Sequence, residues 1–66
     1  MLVLKVTMME GRSEEQKERL IRLLSEAASR ELGHPLDEVR VIIYEVPKRN
    51  WGIGGRSVAS REAGDG

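Results

Sequence analysis

The sequence predicts an α+β fold: a short β-α-β protomer with a small C-terminal hairpin, built to associate with other subunits. Three observations carry this. Two strand-like apolar segments flank one long helix-periodic segment. The chain has 66 residues, and a domain near that size buries only about 60% of the surface its unfolded chain exposes. Cysteine is absent and His34 is the single histidine, so neither a disulfide framework nor a zinc site makes up the shortfall. Association is the remaining means of stabilising so small a core.

The first element is a strand over Leu2–Met9. Leu2, Leu4, Val6 and Met8 share one face, and Val3, Lys5, Thr7 and Met9 the other. Glu10-Gly11 ends it. Ser13-Glu14-Glu15-Gln16 reads as a capping box opening a helix, with two acids at the positive end of its dipole. On that helix Leu20, Ile21, Leu23, Leu24, Ala27, Ala28 and Leu32 cover about half the circumference, wider than the ~100° stripe of an ordinary surface helix. Glu15–Arg19, Glu18–Arg22 and Glu26–Arg30 are i,i+4 pairs on the polar side. Gly33 followed by Pro35 is the stop signal. A second strand, Val39–Val46, is apolar at nearly every position, so both faces are expected to be covered. Pro47 ends it, Lys48-Arg49-Asn50 is a turn, and Trp51–Gly55 is a short irregular or hairpin segment. Ser60–Gly66 reads as a polar tail on a single domain spanning 1–66. The connection between the strands is long enough for a parallel crossover. Two strands and one helix leave unpaired edges and a bare sheet face, which again call for neighbours.

Charge narrows the partners. Eleven basic and eleven acidic residues cancel, which argues against nucleic acid or an anionic membrane as the main partner. No apolar run approaches the ~20 residues of a membrane helix, and no basic-then-apolar leader opens the chain. A soluble cytoplasmic protein without a cofactor is the expectation.

Few residues offer chemistry. Arg12 stands at the turn before the helix, where a solvated loop arginine is the ordinary outcome. Arg40 is the only charge within Val39–Tyr44. It either faces solvent at an edge or meets a carboxylate, because burying it unpaired is costly. Trp51, the only tryptophan, suits an interface anchor. The Gly52-Ile53-Gly54-Gly55 run lacks the spacing of a phosphate loop, His34 reads as a solvated loop residue, and Glu10 and Glu45 form no evident acid/base pair.

The order E-G-R-S-E-E-Q-K at Glu10–Lys17, V-R-V-I-I-Y-E at Val39–Glu45 and W-G-I-G-G at Trp51–Gly55 resembles the 4-oxalocrotonate tautomerase family over nearly the whole chain to about Ala59. The resemblance implies a tautomerase-like fold assembled as a hexamer, a trimer of dimers. It also implies an isomerase of aromatic hydrocarbon catabolism acting on a dicarboxylate such as 2-hydroxymuconate. In that family an amino-terminal proline moves the proton, two arginines grip the carboxylates and an aromatic residue keeps the pocket apolar. By resemblance Arg12 and Arg40 match the arginines and Trp51 the aromatic position, so these three are the expected substrate-binding residues.

One position departs. Leu2 stands where the family has its proline, and the only prolines are Pro35 and Pro47. Methionine removal favours a small second residue, so Met1 is expected to stay. The resemblance therefore implies a subunit of a heterohexamer, whose proline comes from a homologous sister chain while this chain supplies Arg12, Arg40 and Trp51. Alone it is expected to be inactive or weak. Two alternatives stand beside this: a homohexamer using the Met1 amine as a weaker base, and a non-catalytic oligomeric binding or structural protein.

Overall fold

The computed structural model of the chain describes residues 1–64. Strand β1, Leu2–Met9, pairs in parallel with β2, Val39–Val46. The register runs without a break from Leu2 beside Val39 to Met9 beside Val46. Both strands keep the bounds read from the sequence. Between them helix α1 spans Glu14–Leu32. The capping box forms as expected: the Ser13 hydroxyl accepts from the Gln16 N–H at 3.1 Å, and the Gln16 side chain accepts from the Ser13 N–H at 3.0 Å. Gly33 ends the helix in the left-handed region at φ 68°, a conformation that costs glycine nothing. A single 3₁₀ turn, Leu36–Glu38, leads into β2.

The helix lies over the face of the sheet that carries Leu4 and Met8. A groove lined by Leu4, Leu24, Ala27, Ala28 and Leu32, with Glu31 at its edge, runs along the β1 side of that contact. Burial is shallow everywhere. Among the described residues only Val39 and Val58 are buried. Leu23 is 52% and Leu32 61% exposed, and Val3, Ile42 and Tyr44 stand open on the sheet face away from α1. The double coverage expected of β2 is thus absent in one protomer.

The three predicted i,i+4 pairs of α1 do not close within 4 Å. The ion pairs among the described residues are Lys17–Glu14, Lys17–Glu45 and Lys48–Glu62. On a solvated face the Coulomb gain barely exceeds the rotamer entropy lost in holding two long side chains together.

Beyond β2 the chain makes a 3₁₀ turn at Lys48–Asn50 and then a hairpin of β3, Gly52–Ile53, with β4, Arg56–Ser57. Its two-residue turn, Gly54-Gly55, has φ 61° and 88°, the sign that tight hairpins require at both positions. The polar tail expected from Ser60 is corrected here: helix α2, Val58–Glu62, occupies its first residues. Ser57 caps α2 by accepting from the Ser60 N–H at 3.1 Å, and Lys48 ties its far end through Glu62 at 2.7 Å. The last two residues of that expected tail, Asp65 and Gly66, lie outside the described residues. His34, expected in solvent, is half-buried, with its backbone carbonyl accepting from the Ser29 hydroxyl.

The protomer measures 49 × 23 × 14 Å, with a radius of gyration of 15.8 Å. A compact chain of this length would have about 11 Å. Among the described residues no helix is long and apolar enough to cross a membrane.

Candidate active site

Arg12 sits where local sequence fixes the backbone on both sides. Before it, Gly11 takes φ 130°, which disfavours any side chain, and the Glu10 N–H donates to the Val46 carbonyl at 3.0 Å. After it comes the Ser13 cap. Arg12 borders a groove of about 200 Å³ lined also by Met8, Gln16, Lys17 and Leu20. Two apolar side chains and a guanidinium fork make a surface suited to a carboxylate on a hydrocarbon frame.

Lys17 enters the same groove, one helical turn on from the cap, and its ammonium is already engaged. It lies 2.8 Å from Glu45 Oε1 and 3.4 Å from Glu14 Oε1, with its side chain only 20% exposed. The hydrogen bond to Glu45, helped by Glu14, holds Lys17 above the ordinary lysine range against a smaller desolvation effect. By contrast, Arg12 makes no ion pair among the described residues.

Arg40 lies elsewhere. It pairs in register with Val3, on the face away from α1, and its Nη1 donates to the Asp37 carbonyl at 2.6 Å. Of the two outcomes open to it, the protomer shows the solvent-facing one. Leu2 begins β1 at this same end, half-buried on the α1 side, and Met1 precedes it, exposed.

The two arginines therefore stand at opposite ends of the strand pair. Seven residue steps separate the Leu2–Val39 end from the Met9–Val46 end, about 23 Å at the usual rise. A single protomer does not bring them together. Trp51 is in a third place, between the Lys48–Asn50 turn and the hairpin. It is half-buried, with its carbonyl accepting from the Val58 N–H at 2.8 Å, and it does not line the Arg12 groove. Among the described residues no three His, Cys, Asp or Glu side chains gather as metal ligands.

Sequence reasoning passed over Lys17 and weighed Glu45 against Glu10, as an acid/base pair that was not evident. The contact of Lys17 with Glu45 spans 28 residues, and no local pattern reports it.

Comparison with known proteins bears on this geometry. A family profile described as tautomerase enzyme matches residues 3–61. The chain is 58% identical over 57 residues to a 2-hydroxymuconate tautomerase of Stutzerimonas stutzeri, covering 86% of this chain and 90% of the relative. A solved 4-oxalocrotonate tautomerase homologue superposes with a TM-score of 0.86 at 54% identity, covering 89% of this chain and 94% of the other. A heterohexamer 4-oxalocrotonate tautomerase from Chloroflexus aurantiacus matches with a TM-score of 0.83 at 56% identity, covering 89% and 95%.

Proposed function

Because the chain belongs to the tautomerase enzyme family, we propose that it is a subunit of a heterohexameric isomerase acting on an unsaturated dicarboxylate such as 2-hydroxymuconate. The separation of Arg12 from Arg40 supports a site shared between chains, and Leu2 in the proline's place supports a sister chain. A substrate a few ångströms across cannot reach both within one protomer, so a site using both draws on more than one chain. A chain with Leu2 in the proline's place still has a role in such a site. It lends a guanidinium to a carboxylate while a sister chain supplies the amine that moves the proton between oxygen and carbon. Arg12, Arg40 and Trp51 are the binding residues of this scheme. A guanidinium on each carboxylate holds the planar substrate, and the nearby positive charge stabilises the oxygen of the dienolate as the hydroxyl proton leaves and a carbon is protonated.

The experiment compares three preparations with 2-hydroxymuconate. The purified chain alone is expected to turn over little or nothing. Co-expression with a proline-bearing homologue from the same source restores turnover, with both chains in one complex by native mass spectrometry. Leu2→Pro, with Met1 removed by the cell, raises the activity of the chain alone. Full-rate turnover by the unmodified chain, verified as a single species, would overturn the heteromer and favour the Met1 amine as base.

A further inference from the structure

Among the described residues the Arg12 groove holds two cations, and only Arg12 is free of an ion pair. We propose that Glu45 is a specificity-determining residue that withholds the Lys17 ammonium, so that each groove presents a single carboxylate-binding group, the Arg12 fork. This rests on the reading of the groove as a substrate-carboxylate site.

Lys17 and Arg12 border the same 200 Å³ groove with Met8, Gln16 and Leu20, so a released ammonium would meet any anion seated there. The ammonium is instead turned to Glu45, which does not itself line the groove. Glu45 is the penultimate residue of β2, opposite Met8 in the register and so on the α1 side of the sheet. Its Oε1 accepts from Lys17 at 2.8 Å, the shorter of the lysine's two contacts. Glu45 is also the better shielded partner, with its side chain 32% exposed against 98% for Glu14, and shielding from water strengthens the attraction. The two cations differ in kind as well. A planar fork orients a carboxylate through two parallel bonds, whereas an ammonium attracts from any direction. A free lysine beside the fork would strengthen anion binding and blur the orientation. Engaging it leaves the directional group in charge.

Succinate is the probe, a saturated dicarboxylate that binds without reacting, titrated by calorimetry into the full chain as it assembles. Releasing one ammonium about 4 Å from a carboxylate in water-like surroundings is expected to tighten binding about fivefold. Glu45→Gln should show that tightening, and Glu14→Gln/Glu45→Gln at least as much. Lys17→Met/Glu45→Gln should lose it. The milder Glu45→Asp, a methylene short of the 2.8 Å contact, should fall between the parent and Glu45→Gln, and it decides alone if Glu45→Gln does not fold by circular dichroism. Succinate affinity unchanged from the parent in these folded variants overturns the proposal, as does tightening that survives in Lys17→Met/Glu45→Gln. A bridge that only ties α1 to β2 would lower Tm equally in Glu45→Gln and Lys17→Met and leave affinity alone. Turnover is read separately. Tightening in a complex with no tautomerase activity sinks the proposed function and keeps this inference. An active complex with unmoved affinity does the reverse.

Discussion

Arg40 interrupts an otherwise apolar strand, and its only polar contact among the described residues is the carbonyl of Asp37, three residues back. That contact can be replaced by water, so the protomer itself gains little from the guanidinium. A substrate carboxylate in a shared pocket gives the residue a stronger reason to be there. Arg40→Ala is therefore expected to leave folding nearly intact, within about 0.5 kcal/mol as for most exposed substitutions. In the active complex it should lower kcat/KM about 10- to 150-fold, the equivalent of one hydrogen-bonded charge worth about 1.5–3 kcal/mol. Arg40→Lys should recover only part, because an ammonium has no fork. Kinetics and thermal melts on the same preparations check both halves. A large fall in Tm with normal activity per assembled complex would remove Arg40 from the site.

At the scale of the element, α1 is an anchor for Arg12 as much as a layer of the fold. The capping box satisfies two backbone N–H groups, the Lys17 N–H closes on the Ser13 carbonyl at 3.1 Å, and Arg12 is the residue immediately before this fixed point. Ser13→Ala removes the hydroxyl and leaves the Gln16 N–H to solvent, at a cost of about 1 kcal/mol. The denaturation midpoint should fall accordingly, and KM should rise more than kcat falls, since the arginine is placed less firmly but keeps its chemistry. A denaturant titration and a steady-state series measure the two effects. Equal stability of parent and variant would mean that the cap is redundant. At the other end Gly33 at φ 68° lets the chain turn towards β2. Any residue with a Cβ there would be strained, although space around it is open.

For the whole molecule the decisive fact is the near absence of an interior. Among the described residues only two are buried, and with the elongated outline this leaves Leu23 and Leu32 on the helix, and Ile42 and Tyr44 on the sheet, open to water. Exposed apolar area of this extent on so small a protein marks surfaces that other subunits cover. Leu32→Glu places a charge beside the Leu4–Leu24–Ala28 groove and is expected to shift sedimentation towards smaller species. Stability should become strongly dependent on concentration, because subunit contacts supply much of what holds the fold. An unchanged sedimentation profile at micromolar concentration would show that this face is not a subunit contact.

The sequence by itself determined every long element of the protomer. Alternation ended by Glu10-Gly11 set the bounds of β1, an apolar run ended by Pro47 those of β2, and Ser13 with Gln16 the start of α1. Gly33 set its end, because each of these signals is local and needs no partner. The same holds for Arg12, whose setting is written in its neighbours Gly11 and Ser13. Helix α2 escaped because five polar-rich residues show no apolar period, and what ties it down, Glu62 on Lys48, comes from 14 residues earlier. Only the tertiary structure decided which charges meet. It paired Lys17 with Glu45 rather than closing the helix's own i,i+4 pairs, and it left Arg40 on the open face. By running β1 and β2 parallel it also set Arg12 and Arg40 at opposite ends of the sheet. Spacing along the chain says nothing about such placements. They follow from register, from which face each residue presents, and from how much water remains to screen a pair.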